Sequence, residues 1–194
     1  MKIVVASSNP GKLAEIRAVL AGTGIELVAQ GDLRIGDADE TGSPFVENAR
    51  IKARHASRAS GLPALADDSG ICVDALGGAP GLISALYAGV HGDSEANIAK
   101  LLGALEGVED ARRGAHFHCT IVLLRSADDP APLIAEGRWH GRILHAPRGK
   151  RGFGYDPVFF DPVLGAGAAE LEPGIKNRVS HRGQALARLR ELLA

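Results

Sequence analysis

The sequence predicts an α/β fold with a central mixed sheet flanked by helices. Three observations carry that reading. Short β-branched runs alternate with helical periodicity in the first half of the chain, and strand-like segments follow one another in the second half. A hydrophobic content of 45% in 194 residues supplies a core for one domain. Strands that alternate with helices pair in parallel and consecutive strands pair antiparallel, so the sheet is mixed.

Lys2 to Ala6 is a β-branched run and reads as a buried first strand. Ser7-Ser8-Asn9-Pro10-Gly11-Lys12 breaks it, and Leu13, Ile16 and Leu20 recur at helical spacing, with Asn9 as N-cap and Pro10 as first helical residue. Ile25 to Ala29 reads as a second strand. Ser43-Pro44 looks like another cap-plus-proline start, for a helix over residues 45–60. Two short apolar runs, 63–66 and 71–73, flank Asp67-Asp68-Ser69-Gly70, and residues 77–92 read as a long glycine-rich loop. Residues 94–105 predict a third helix with Ile98, Leu101, Leu102 and Leu105 inward. Residues 115–124 and 133–140 predict a strand pair, residues 157–160 a short strand, and residues 161–174 an irregular connection. A closing helix covers 182–193, with Ser180 as its cap.

Lys+Arg 22 against Asp+Glu 23 leaves a net charge of −1, which argues against a nucleic-acid-binding or anionic-membrane surface. Aromatic residues are only 4%, so stacking platforms for single strands are scarce. Cys72 and Cys119 read as reduced thiols. The N-terminal apolar run is too short for a signal segment and nothing approaches a membrane span, so the expected location is cytoplasmic.

Several clusters suggest chemistry. Ser7, Ser8, Asn9, Pro10, Gly11 and Lys12 lie where a strand turns into a helix, and free N–H groups with the helix dipole favour an anion there. The loop is not a Walker A motif, since Ala6 and Leu13 stand where that motif needs glycine and a hydroxyl residue. On the helix from Phe45, Lys52 falls in the middle of an apolar stripe of alanines, so it snorkels, pairs or reaches into a cleft. Glu47 points away from Lys52 and is expected to pair with Arg50 or Arg54.

Asp67-Asp68, read at a strand end, suits Mg²⁺, which takes one or two carboxylates plus waters and substrate phosphates; the alternative is an Asp-rich turn. In Phe153-Gly154-Tyr155-Asp156-Pro157 a ring could stack on a base, although the residues alone favour plain packing. Ser180-His181-Arg182-Gly183 opens the last helix and presents donors, with Lys176 just upstream; an ordinary capped helix is the other reading. His116, His118 and Cys119 read as strand packing, because Cys119 faces the opposite side from the histidines. Arg148, Lys150 and Arg151 read as a solvated basic loop.

Taken in order, the segments 6–12, 45–49, 65–70, 76–81, 153–157 and 180–183 resemble the inosine triphosphate pyrophosphatase family. The resemblance runs nearly end to end. It implies an elongated fold of two lobes around a cleft within one domain, a homodimer, and Mg²⁺-dependent hydrolysis of (d)ITP and XTP to the monophosphate and pyrophosphate. It implies Asp68 as proton acceptor and metal ligand; Lys52, inward on its apolar stripe, is the other catalytic candidate. Of Asp39 and Glu40, which precede Thr41-Gly42, it favours Glu40 as the second metal ligand. Ser7 to Lys12 would hold the triphosphate, and Ser69, Phe153, Gly154, Tyr155, Asp156, Lys176, His181 and Arg182 would contact the nucleotide. The chain departs from the family pattern at Ile83 and Leu86, where a tyrosine and an arginine are usual. A non-catalytic nucleotide sensor and a pyrophosphatase for other modified nucleotides are the competing readings; Asp67, Asp68 and Lys52 argue against the first and Ser180-His181-Arg182 against the second.

Overall fold

A computed structural model describes residues 1–193. The elements are β1 (Lys2–Val5), α1 (Pro10–Leu20), β2 (Glu26–Ala29), α2 (Phe45–Ser60), β3 (Ala64–Val73), α3 (Ser94–Ala104), β4 (Gly114–Leu124), β5 (Leu133–Ile143), β6 (Phe159–Asp161), β7 (Ala166–Gly167), α4 (Pro173–Val179) and α5 (His181–Leu193). The strands form one sheet in the order β2-β1-β3-β4-β5-β6-β7. It is mixed: β1 runs parallel to β2 and β3, and β6 antiparallel to β5 and β7. No helix among the described residues is long and apolar enough to cross a membrane.

The chain divides into two compact units. The first comprises Met1–Asp68, Cys119–Gly137 and the chain from His181 onward; the second comprises Ser69–His118 and Arg138–Ser180. In the first unit, strand alternation sorts the side chains onto two faces. Ile3, Val5, Leu65, Cys119 and Ile121 pack with Ile16 and Leu20 of α1 and with Leu186 and Leu189 of α5. Val4, Ala6, Ala64, Ala66 and Val122 pack against Ala49, Ala53 and Ala56 of α2. Alanines at that interface let α2 approach the sheet closely. The second unit is built on Ile71, Leu101, Phe117, Trp139 and Phe159, with the Phe159 ring 4.7 Å from Phe117 and 4.9 Å from Trp139. Trp139 Nε1 donates to Asp161 Oδ2 at 2.7 Å, so the buried indole is satisfied. Arg113 is 2% exposed and donates to the carbonyls of Leu105, Ile143 and Leu144.

Several expectations are corrected. Asp67-Asp68-Ser69-Gly70 is not a strand end or turn but the middle of a ten-residue strand. Apolar residues on both sides pack, which keeps the backbone extended, and Gly70 permits a close approach. A Cβ at Gly70 would collide with the Gly81 carbonyl oxygen and stand 2.7 Å from Ser84 Oγ, the hydroxyl that accepts the Ile71 N–H. Gly70→Ala is therefore expected to lower stability by ~1–3 kcal/mol, read as a fall in the thermal midpoint; an unchanged midpoint would mean that this approach is not tight.

At the start of α2 the N-cap position is Pro44, not Ser43, and no side chain caps it. The Asn48 side chain instead takes the Gly42 N–H at 2.7 Å and fixes the segment before the helix. Glu47 forms no ion pair with Arg50 or Arg54 among the described residues, and Arg54 donates to the Ala127 carbonyl. The connection expected over 161–174 contains β7 and leads into α4, a helix the periodicity hides because it is seven residues long and carries Pro173 and Gly174 in its first turn. Ser180 closes α4, its N–H donating to the Lys176 carbonyl. Arg148 and Arg151 are not simply solvated: they pair with Glu170 and Glu172.

Candidate active site

β1 ends at Val5 and α1 begins at Pro10, so the chain turns over four residues in the first unit. Asn9 Oδ1 accepts the Lys12 N–H at 3.1 Å and Ser7 Oγ accepts the Asn9 N–H at 3.2 Å. These are the side-chain acceptors that a helix start requires, and they hold the turn open at the positive end of the helix dipole. Ser8 donates to Asp37 Oδ2 at 2.8 Å, and Gln30 donates to the other oxygen of Asp37 at 2.5 Å. Asp37 thus ties the turn to the segment that carries Glu40.

β3 lies beside β1, with Val5 opposite Leu65 and the Ala6 N–H donating to the Leu65 carbonyl. Its next residues are Asp67 and Asp68, and the strand sends them to opposite faces. Asp68 takes the α2 face. Its Oδ1 accepts a charged hydrogen bond from Lys52 Nζ at 2.9 Å, and the same ammonium reaches Glu40 Oε2 at 3.2 Å. The Lys52 side chain is 13% exposed, so the lysine on the apolar stripe pairs rather than snorkels. Burial opposes its charge, but Asp68, Asp67 and Glu40 together outweigh burial and raise its pKa. Asp68 is 5% exposed. Burial pushes its pKa up, Lys52 pulls it down, Glu40 pushes it up again, and the net direction is up. The result is a carboxylate more basic than an ordinary aspartate, as proton abstraction requires.

Two carboxylates share one ammonium here, which leaves one net negative charge. Asp68 Oδ2 is buried and has no hydrogen-bond partner. Among the described residues no three His, Cys, Asp or Glu side chains gather as a cage. One or two carboxylates are nonetheless what Mg²⁺ uses when waters and phosphate oxygens complete its shell, so Asp68 and Glu40 fit such an ion.

Asp67 takes the other face, against α1 and α5. It is 1% exposed, and Lys12 Nζ, Arg182 Nη2 and Arg182 Nε stand 3.1, 3.0 and 3.2 Å from Oδ2. Burial would raise its pKa, but Lys12, Arg182 and Lys52 hold it well below the usual carboxylate range. Arg182 continues to Glu15 Oε2 at 2.5 Å. The Arg182 side chain is 2% exposed, so these donors point into the core. His181, in the first turn of α5, is 5% exposed.

In the second unit, Lys176 Nζ pairs with Asp156 Oδ2 at 2.5 Å and lies 4.8 Å from the centre of the half-buried Phe153 ring. Asp156 Oδ2 also accepts the Phe153 N–H at 2.8 Å. Gly152, at φ +75°, lets the chain fold over that carboxylate, which a Cβ would strike. Phe153, Asp156 and Lys176 are therefore one cluster. Tyr155 is turned inward, its hydroxyl donating to the Ser84 carbonyl, and Gly154 sits between them at φ +59°. Ser69 belongs to this unit and is part-buried in β3.

The structure brings together Lys52, Asp68 and Glu40, and separately Lys12 and Arg182. Sequence reasoning missed the residue that joins the second set: Asp67 reads there only as a partner of Asp68. It also missed Glu15 and Asp37. Glu15 follows Lys12 by three positions on α1, a helical-neighbour spacing that points both side chains toward one region; nothing in the sequence marks Asp37.

A helix start with open N–H groups and a desolvated carboxylate–lysine pair on neighbouring strands of a mixed sheet define an α/β protein with the groups that phosphate chemistry uses. The profile of the Ham1 family matches residues 3–192, and the chain belongs to that family. It is 60% identical over 191 residues to the dITP/XTP pyrophosphatase of Xanthomonas campestris, which covers 98% of this chain and 96% of the relative. It is 56% identical over 185 residues to the dITP/XTP pyrophosphatase of Yersinia pestis, covering 95% and 94%. The solved structure of a HAM1 protein from Coxiella burnetii superposes with a TM-score of 0.91 at 51% identity, covering all of this chain and 98% of that one.

Proposed function

We propose that this chain is a nucleoside triphosphate pyrophosphatase that hydrolyses the non-canonical purine nucleotides dITP, ITP and XTP to the monophosphate and pyrophosphate. The observation that carries the reading is Asp68: a buried carboxylate with a raised pKa, held at one oxygen by Lys52 and open at the other, on the strand next to the one that ends in the anion-binding turn. The names of the relatives support the substrate class.

Mg²⁺ on Asp68 and Glu40 would supply charge to the phosphate oxygens and acidify a water. Asp68 receives the proton of the attacking water, whose oxygen bonds to the α-phosphorus. The bond from that phosphorus to the α–β bridging oxygen breaks, and the pyrophosphate leaves with the electron pair. Backbone N–H groups at the start of α1 and the Lys12 ammonium hold the β- and γ-phosphates in the bound substrate and in the transition state alike. Lys52 fixes the Asp68 carboxylate and offsets part of its charge between turnovers.

For the base, donors at the start of α5, from His181 and backbone N–H groups, suit a 6-keto purine; in the second unit, Ser69, Phe153, Gly154, Tyr155, Asp156 and Lys176 are the proposed nucleotide contacts. Arg182 serves the site from behind, through Asp67. The working form is a cytoplasmic homodimer. The experiment is a panel of ITP, XTP, GTP and ATP with Mg²⁺, scored for pyrophosphate against orthophosphate. An amino group facing a buried donor loses about tenfold or more, so ATP should be a poor substrate by that factor. ATP cleaved as efficiently as ITP would overturn the 6-keto reading, and nucleotide binding without turnover would leave a sensor.

A further inference from the structure

Asp67 and Asp68 are neighbours in sequence and not in chemistry. Asp68 faces Lys52 and Glu40, whereas Asp67 faces α1 and α5, where Leu65 and Cys119 of the same sheet face also lie. The Asp67 side chain is fully buried, with the Lys12 ammonium 3.1 Å and the Arg182 guanidinium 3.0 Å from Oδ2, and the Cys119 thiol 4.0 Å away. Asp67 is therefore turned away from the carboxylates that fit a metal.

What sets this ion pair apart is which lysine it holds. Lys12 stands in the first turn of α1, just after the anion-binding turn, and its backbone N–H is already fixed by Asn9. Asp67 fixes the other end, so the Lys12 chain is restrained at both ends with its side chain 18% exposed. Arg182 and Glu15 hold Asp67 in turn, and the four charges balance. A lysine that is free in solution loses rotamer freedom when it meets an anion, and one already held loses little. Arg182 is shared with Glu15, so Lys12 completes the balance, and in completing it the ammonium is fixed at the start of α1.

We propose that Asp67 is a positioning residue, neither proton acceptor nor metal ligand, which holds the Lys12 ammonium at the start of α1 for the phosphate chain of the substrate. This rests on the triphosphate reading of the turn. It predicts a split in the kinetic constants. Asp67→Asn should raise KM for ITP about tenfold while kcat falls less than about threefold, because the lost restraint acts on ground-state and transition-state binding alike. In a Lys12→Met background the same substitution should change KM by less than about twofold, since the group it acts through is gone.

The test is that double-mutant cycle, read twice: as KM and kcat for ITP, and as affinity for inorganic pyrophosphate by calorimetry. Asp67→Glu, which keeps a charge for Arg182 and displaces Lys12, replaces Asp67→Asn if the latter does not fold. A collapse of kcat at unchanged KM in a folded variant would make Asp67 part of the chemistry and overturn the proposal. Equal factors in both backgrounds would make it merely structural and overturn it as well. A wild-type protein that hydrolyses no nucleotide would defeat the functional reading, and the pyrophosphate arm of the cycle would still decide the role of Asp67.

Discussion

Asp68→Asn is expected to lose turnover by about a thousandfold or more while the protein keeps its fold. The amide has the shape of the carboxylate, so β3 and its packing against α2 are undisturbed. It can still meet Lys52 at one atom, but it cannot take a proton and brings no charge to a cation. The stability cost is small for the same reason that the activity cost is large. The wild-type carboxylate is buried and disfavoured as an anion, its pKa raised first by burial, against the pull of Lys52, and again by Glu40. Removing that charge relieves desolvation while giving up the ion pair with Lys52. Single-turnover kinetics and a thermal melt check both halves. Near-normal turnover with a normal melt would remove Asp68 from the chemistry.

Arg182→Leu is expected to have the largest effect on stability, about 3–5 kcal/mol, because it takes from the fully buried Asp67 the guanidinium that donates twice to its Oδ2, and takes a cation from Glu15 as well. That is a large share of the ~5–15 kcal/mol that holds a domain together. Leucine fills much of the volume, so the loss reports charge rather than a cavity. Arg58→Ala, at a pair exposed by 67% and 91%, is the contrast and should change stability by less than about 0.5 kcal/mol. Chemical denaturation of the two variants side by side measures the difference. A similar, small effect at both would mean that water reaches the Asp67 network.

Much of the first unit was legible because its signals are local. Asn9 caps and Pro10 starts α1 where side-chain chemistry and fixed φ require it, and the 3.6 periodicity of residues 45–60 places Lys52 toward the sheet. What local reading could not supply was the direction of Asp67 and Asp68. Two adjacent acids look like a pair, and only the continuation of β3 through them, with packing on both sides, shows that they face opposite ways. Arg182 posed the same problem. At a helix start it reads as a donor for a ligand, and its commitment to Asp67, 115 positions earlier, is a tertiary fact. Helix α4 was hidden by its length and by its proline and glycine, and Lys176 read only as a charge upstream of the last helix until Asp156 and Phe153 were seen around it.

Hydrolysis of ITP in ¹⁸O-enriched water, with the products resolved by mass spectrometry, tests the central claim most directly, because it reports at once which bond breaks and which phosphorus is attacked. With water activated at Asp68 and pyrophosphate leaving toward Ser7 to Lys12, the label is expected in the monophosphate, beside unlabelled pyrophosphate and no primary orthophosphate. Label in the pyrophosphate, or orthophosphate as the first product, would contradict the placement of the attacking water and the role of the anion-binding turn.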